Sequence, residues 1–485
     1  MSIIEALEGL QQAGVYPFHM PGHKRRMKDH PLSQAYERDI TEIDGFDNLH
    51  DPQGIILEAM EKAKKLYGTK ESFFLVNGST AGILSAVHAC VSYGEKIIIS
   101  RNSHKSVYNA IALLNLQTAY LYPKQIPEWN MAAGITGEEV RRVIQKNPDA
   151  KAVLITSPTY EGFVSPIRDI SRLAHEAGIP LIVDEAHGAH FPFSEEFPES
   201  ALYQGADLVI QSLHKTMPSL TQTAILHVQG NLIRIRKLKR FLSTFQSSSP
   251  SYLLMASIEE CLLLAEKKGT CLWKIILKKT DEFYRDTEKL KYIRIWKEKT
   301  PARDPLKLIL APGRVIKDGK VYTGADLYRE LLEDHHLQLE MAASAYALGI
   351  LSCMDDPSGL ERLKKALFKI DGELTAIEDE EAAEACLKAG ERQPGLGQAQ
   401  RPFFLQVKES IGNALDRKEE WVDLCRAEGR EAAGFINLYP PGIPLIVPGE
   451  VISSQFVATL ILYRKQDLPI QGLEEGKIAV VKEDL

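Results

Sequence analysis

The sequence predicts an α/β fold built on a mainly parallel sheet, followed by a smaller α/β part and a C-terminal α+β part. Three observations carry this. Between Phe73 and Val228, short apolar runs alternate with amphipathic stretches of helical period. The apolar runs are nearly continuous rather than alternating, as in strands covered on both faces. Clusters of polar residues lie just past the ends of these runs, where open α/β sheets place ligands.

Taken in order, residues 1–55 read as an irregular arm, because Pro21, Gly22 and Gly45 interrupt it. Ile56, Met60, Ala63 and Tyr67 then fall at helical spacing, with Gly68 as the stop. Strands are expected at 73–76, 96–100, 152–156, 181–184 and 208–211. Between them, helices are expected over 80–92, with Ile83, Leu84, Val87 and Val91 inward, and over 167–177, with Gly178 ending it. Residues 234–240 hold five basic side chains and read as a solvated helix face. A long helical region is expected near 255–295 and an α/β pattern over 306–374. Residues 378–384 are acidic, and 389–402, with Gly390, Pro394, Gly395 and Gly397, read as a linker.

Composition narrows the function. At 485 residues the chain has room for about three domains. Its 44% hydrophobic and 25% charged residues exclude disordered, collagen-like and disulfide-scaffold classes. The net charge of −7 gives no global attraction to nucleic acid or anionic membrane. Cys90, Cys261, Cys271, Cys353, Cys386 and Cys425 are dispersed without zinc spacing, which suits reduced thiols in a cytoplasmic protein. Glu5 and Glu8 lie where a signal peptide would be apolar, and no uncharged apolar run of about 18 residues is present.

Four clusters at strand ends carry chemistry. Asn77-Gly78-Ser79-Thr80-Ala81-Gly82 opens a helix. Its small residues, hydroxyls and helix N–H groups suit an anion, although it is not a P-loop and also reads as a plain N-cap. Asp184-Glu185-Ala186-His187-Gly188-Ala189-His190 puts a carboxylate at the end of a buried strand, where it needs a cationic partner. Asp184, His187 and His190 also suit a metal, but Gly188 and the missing third histidine argue against it, and no metal is expected. Ser212-Leu213-His214-Lys215 places a lysine just past another buried strand, where burial and nearby cations would make its amine a nucleophile, although taken alone it reads rather as a lysine snorkelling from the sheet edge. Arg101-Asn102-Ser103-His104-Lys105-Ser106 offers a flat imidazole able to stack on a planar ligand, although such a histidine is more often a hydrogen-bonded loop residue. A phosphate cradle, a carboxylate and a lysine, all at strand ends, are together what pyridoxal 5'-phosphate (PLP) requires.

These boxes, with the opening His19-Met20-Pro21-Gly22-His23-Lys24 and the stretch from Tyr439-Pro440-Pro441-Gly442 to Pro448-Gly449-Glu450, resemble the bacterial ornithine/lysine/arginine decarboxylase family. The resemblance covers about residues 18–450 and is to the short form without an N-terminal wing domain. It implies a fold-type I PLP-dependent, aspartate-aminotransferase-like fold. The implied divisions are an arm at 1–55, a large PLP-binding domain at 56–295, a small α/β domain at 296–388, and a linker with C-terminal domain at 389–485.

The resemblance also implies roles. Lys215 would be the Schiff-base lysine, with His214 its catalytic neighbour, and Asp184 the partner of the pyridine nitrogen. Ser79, Thr80 and Ser212 would bind phosphate. Ala186 would pack under the ring and His104 over it, with His187 also in the cofactor site. Many fold-type I enzymes have Asn before the Pro-Thr-Tyr segment. Here the run is Thr156-Ser157-Pro158-Thr159-Tyr160, a departure at the position that would meet the ring hydroxyl.

The implied reaction is α-decarboxylation of a basic amino acid, arginine favoured over lysine or ornithine, within polyamine biosynthesis. The product would be agmatine or a diamine, with carbon dioxide. Asp44, Asp47 and Glu450 are candidate receptors for the substrate's distal cation, and each reads equally as a structural acid. A homodimer or higher homo-oligomer with the site at its interface is implied, with no nucleic acid or membrane partner. An aminotransferase, an aldolase-type lyase and a catalytically silent homologue remain as rivals.

Overall fold

The structure is a computed structural model, and it describes every residue except 130, 299–301, 378–404, 440, 441, 467, 484 and 485. The acidic stretch 378–384, the linker residues 389–402, Cys386 and the Pro440–Pro441 pair therefore lie outside or largely outside the described residues.

The chain opens with α1 (Ile3–Gln12), α2 (Ser33–Arg38) and α3 (Ile55–Tyr67), then β1 (Glu71–Leu75), α4 (Gly78–Cys90), β2 (Lys96–Ser100), α5 (Lys105–Leu113) and β3 (Gln117–Leu121). A small hairpin follows, β4 (Gln125–Ile126) and β5 (Met131–Ala132). Then come α6 (Gly137–Lys146), β6 (Val153–Thr156), α7 (Ile167–Glu176), β7 (Leu181–Asp184), β8 (Leu208–Ser212), α8 (Leu213–Thr216), β9 (Ala224–Val228), α9 (Ile235–Phe245) and α10 (Tyr252–Asp286). The chain divides into two compact units. One is Met1–Ser92, Pro148–Ser157 and Ile167–Trp273, and the other is Tyr93–Asn147, Pro158–Pro166 and Lys274–Leu485.

In the first unit the strands lie in the order β1-β9-β8-β7-β6. β6, β7 and β8 run parallel, as expected. β9 is antiparallel to both β8 and β1, and was not anticipated. Its sequence, Ala-Ile-Leu-His-Val, is as apolar as its neighbours, and apolarity alone carries no strand direction. Gly82 lets α4 sit close on this sheet, since a Cβ there would lie 2.7 Å from Leu75 Cδ1 and 3.1 Å from Ile210 Cγ2. Gly68 ends α3 in the left-handed region at φ 63°, as its position implied. Arg234, Arg236, Lys239 and Arg240 are exposed on or beside α9, while Leu238 and Leu242 are buried, so the basic run is a solvated face.

The arm departs from its reading as irregular. Ser2 and Glu5 form a reciprocal capping box that starts α1, and Ile3 and Leu7 bury its inner side. Pro and Gly break the chain only after residue 13, and these cap residues were the signal that was overlooked.

In the second unit β2 and β3 pair in parallel. The later part holds a four-stranded antiparallel sheet around Trp129, Phe163, Trp296, Ile309 and Leu348. Near the C-terminus, antiparallel strands and a helix at Ser454–Lys465 close over Ile436, Ile446, Phe456, Leu460 and Val480, an α+β arrangement. Among the described residues no helix is long and apolar enough to cross a membrane.

Candidate active site

β8 is buried along its whole length and passes directly into α8, so Lys215 leaves the sheet from a short helix at a strand's carboxyl end. Its Nζ lies 3.3 Å from Nε2 of His187, in the segment that follows the adjacent parallel strand β7. Asp184 ends β7 and is only 4% exposed. Burial pushes its carboxyl above the usual carboxylate range. The positive charge of Lys215 and the Ala186 N–H, which donates to Oδ1 at 3.1 Å, oppose that shift. Two sequence-distant boxes thus meet. Asp184 and His187 are buried, but Lys215 itself is exposed, where the sequence reading expected burial, because its side chain leaves the sheet from the end of β8.

His214 is oriented by the chain itself. Its Nδ1 lies 2.8 Å from the Thr223 carbonyl at the start of β9. A carbonyl only accepts, so Nδ1 carries the proton and Nε2 holds the lone pair. Burial lowers the imidazole's pKa; the bond to Thr223 works against this and the nearby Lys215 charge adds to it, leaving His214 neutral near pH 7.

At the start of α4, Ser79 Oγ lies 2.6 Å from Ser212 Oγ at the end of β8. Gly78 enters the helix at φ 69°, a conformation that favours glycine. The side chain of Asn77 does not cap α4; its Nδ2 donates to the Phe245 carbonyl at 3.1 Å. Thr80 is exposed beside Ser79. Helix N–H groups and the Ser79–Ser212 hydroxyl pair thus stand together at this helix start, a chemistry suited to an anion.

Other expected residues fall elsewhere. His190 is buried against Phe191, Phe197 and Trp273. Among the described residues no group of three His, Cys, Asp or Glu side chains is placed to hold a metal ion. Asp47 accepts from the backbone N–H of Asn48, Gln53, Gly54, Ile56 and Leu57 and so anchors the start of α3. Burial alone would raise its pKa, but these N–H donors outweigh it and hold it low. Asp44 is exposed on a turn. In the second unit, Glu450 is buried against Arg101, with Nη2–Oε2 at 3.0 Å. Asp47 and Glu450 are thus drawn into internal networks. His104 begins α5 as its N-cap, accepting from the Ser106 N–H at 3.2 Å.

Sequence reading missed Glu185. It follows Asp184 directly, is 1% exposed, and accepts from Ser200 Oγ (2.6 Å), the Ala201 N–H (2.7 Å) and Gln211 Nε2 (2.7 Å). Gly188 makes room, since a Cβ there would lie 2.7 Å from Glu185 Cγ. The available signal was an acid inside an otherwise apolar strand end, which must find donors.

Burial pushes the Glu185 carboxyl up to about 7, against the pull of its three donors. From an unfolded value of 4.5 to about 7, the folded protein keeps a proton that the unfolded chain releases. Stability from this group therefore falls as pH rises through that window and is level on either side. Glu185→Gln removes the titration. Gln211 can turn its amide so that Oε1, which has no partner in the structure, faces the new NH2. The variant's stability is expected to gain on wild type as pH rises from 4.5 to 7, by about 1–3 kcal/mol at the upper end. Thermal midpoints across that range check it, and a difference that stays flat refutes it.

The order of strands and helices around this sheet is that of the fold-type I class. The chain superposes on an alanine–glyoxylate aminotransferase from Nostoc with TM-score 0.54, at 16% identity over 73% of this chain and 97% of that one. It superposes on the Francisella novicida lysine decarboxylase with TM-score 0.83, at 20% identity over 99% of this chain and 81% of that one.

Within that class the chain belongs to the Orn/Lys/Arg decarboxylase family. The family's major domain matches residues 2–314 and its C-terminal domain residues 398–472. The arginine decarboxylase of Bacillus subtilis (strain 168) is 31% identical over 478 residues, covering 96% of this chain and 94% of that protein.

Proposed function

We propose that this chain is a PLP-dependent decarboxylase acting on arginine, giving agmatine and carbon dioxide, with lysine and ornithine as poorer substrates. The observation that carries the reading is the meeting of the amine of the exposed Lys215 with His187 and with the buried Asp184, whose carboxylate its charge favours. Full-length similarity to arginine decarboxylases supports the choice of substrate.

The residues present fit the cofactor. A buried carboxylate suits a protonated pyridine nitrogen, an amine on a short helix suits covalent attachment, and the Ser79–Ser212 hydroxyl pair at a helix start suits a phosphate. When bound, PLP supplies a ring that accepts the electron pair left as the bond from Cα to the carboxylate breaks. Asp184 holds the negative charge that keeps a proton on the ring nitrogen. Ser79, Thr80 and Ser212 hold the phosphate. On the family resemblance, Ala186 and His187 would also line the cofactor's pocket. The single proton of neutral His214 is engaged by the Thr223 carbonyl, so delivery of a proton to Cα falls to Lys215 Nζ.

Incubating the holoenzyme with arginine, lysine and ornithine, and weighing the products by mass spectrometry, tests this. Agmatine from arginine is expected. A keto acid would mark an aminotransferase, and faster diamine formation from lysine or ornithine would overturn the substrate.

We also read the protein as a homodimer in the cytosol. The arm exposes Val15, Tyr16, Phe18, Met20 and Leu32, and Phe18 is 91% accessible, which suits burial on a second copy. Sedimentation at micromolar concentration is expected to give about twice 54.2 kDa. A monomer mass would remove the dimer. The dispersed spacing of the six cysteines in the sequence, with no paired or zinc-like motif, supports the cytosolic reading. Recovery of the protein outside the cytosol on fractionation would overturn that.

A further inference from the structure

The two faces of β8 carry different groups at its carboxyl end. Ile210 and Ser212 face α4: a Cβ on Gly82 would lie 3.1 Å from Ile210 Cγ2, and Ser212 Oγ pairs with Ser79 Oγ at 2.6 Å. Side chains alternate along a strand, so Gln211, between them, points to the opposite face of the sheet. Its Nε2 donates to Glu185 Oε2 at 2.7 Å. Both residues are buried, and Ser200 Oγ and the Ala201 N–H donate to the same carboxyl.

This bond lies where the backbone ladder stops. β7 and β8 pair as far as Asp184 and Ile210, and the Glu185 N–H donates to the Ile210 carbonyl at 2.9 Å. Beyond that point neighbouring strands twist apart, while β8 runs on beside β9 through Gln211 and Ser212. The Gln211–Glu185 bond therefore continues the β7–β8 seam in side chains. The turn after β7 closes over the same carboxyl. The Gly188 N–H donates to the Glu185 carbonyl at 2.9 Å, and a Cβ on Gly188 would lie 2.7 Å from Glu185 Cγ. That turn carries Ala186, whose N–H bonds to Asp184, and His187, which meets Lys215 Nζ. A buried carboxyl with three donors holds one geometry, because each lost partner would stand unpaired away from water.

We propose that Glu185 is a positioning residue that stitches the turn 185–188 to Gln211, and so fixes Asp184 and His187 against Ser212 and Lys215. The inference rests on the reading of Asp184 and Lys215 as cofactor-holding residues. It gives a purpose to an acid that touches no reacting atom and lies on the far face of the sheet from the Ser79–Ser212 pair.

The test uses the full chain with PLP. It reads the circular dichroism of the cofactor's visible band, the rate at which that band is lost on dilution, and kcat. Gln211→Met cuts only the link to β8. Ser200→Ala removes a different donor to the same carboxyl and is the control for a purely structural loss. Gln211→Met is expected to alter the dichroism, to speed cofactor loss roughly tenfold and to lower kcat by a similar factor. Ser200→Ala is expected to lower the thermal midpoint while dichroism and kcat stay within about twofold of wild type. Glu185→Gln keeps the shape and can bond Gln211 Oε1, so it is expected to retain the dichroism that Glu185→Ala loses. Adding Gln211→Met to Glu185→Ala is expected to bring no further loss, since two halves of one contact are not additive. If Glu185→Ala does not fold, Gln211→Met and Glu185→Gln still decide the matter. Wild-type dichroism and loss rate in Gln211→Met, with only the midpoint lowered, overturn the proposal and leave Glu185 a structural acid. Equal losses in Glu185→Gln and Glu185→Ala also overturn it, because charge rather than geometry would then be the requirement. If wild type gains no visible band with PLP, or Lys215→Ala keeps that band, the cofactor reading has failed first and the inference falls with it.

Discussion

Lys215→Ala is expected to lower turnover by about 10,000-fold or more and to abolish the visible band of the attached cofactor. The expectation follows from position. The side chain starts on α8, a four-residue helix at the end of β8, and its Nζ, on an exposed residue, sits 3.3 Å from the buried His187. Alanine keeps that helix, whose closing bond runs from the Met217 N–H to the Leu213 carbonyl at 2.8 Å. The fold should therefore survive with a nearly unchanged thermal midpoint, so the loss is chemical rather than structural. Covalent attachment and the Cα proton are both assigned to this one amine. Loss of both accounts for an effect larger than that of any other single change. Turnover within tenfold of wild type would refute the lysine assignment.

Asp184→Asn is expected to cost roughly 100- to 1,000-fold in kcat and to weaken cofactor binding. Asparagine keeps the shape and an oxygen able to accept the Ala186 N–H, and it removes only the charge. That charge is expensive where it sits. Burial pushes the carboxyl up, and the Lys215 charge and the Ala186 N–H only partly compensate. The cofactor-free variant should therefore be no less stable than wild type, and it should gain most at pH values above the carboxyl's raised pKa, where wild type carries the buried charge. Activity that falls while stability holds or rises is the mark of a carboxylate kept for its charge on the cofactor. Unchanged turnover, or a large drop in thermal midpoint without any change in cofactor binding, would refute that role.

Much of this site was legible because its residues stand at the ends of apolar runs. Asp184 and Lys215 each follow a strand that contains no charge before them, and a strand end in a parallel sheet is where a polar side chain reaches a ligand. Ser79 was legible from the small, hydroxyl-bearing start of α4. Asp47 was not. Its five backbone donors come from residues 48–57, which fold back on it only when the turn before α3 forms. Glu185 was passed over because its donors, Ser200, Ala201 and Gln211, lie 15 to 26 residues away. The direction of β9 was hidden for a different reason, since a strand buried on both faces reads the same in either direction.

The sequence by itself determined the strand–helix alternation and the Gly68 stop of α3, and it singled out the candidate lysine, aspartate and hydroxyls. These depend on spacing, burial pattern and turn chemistry within a few residues of each other. Tertiary structure alone decided which acids are spent inside the fold. Arg101 and Glu450 are 349 residues apart, and each by itself looks like a surface charge or a ligand residue. Only the closed chain brings them together, and once both are out of water the cost of an unpaired charge makes each the obligatory partner of the other.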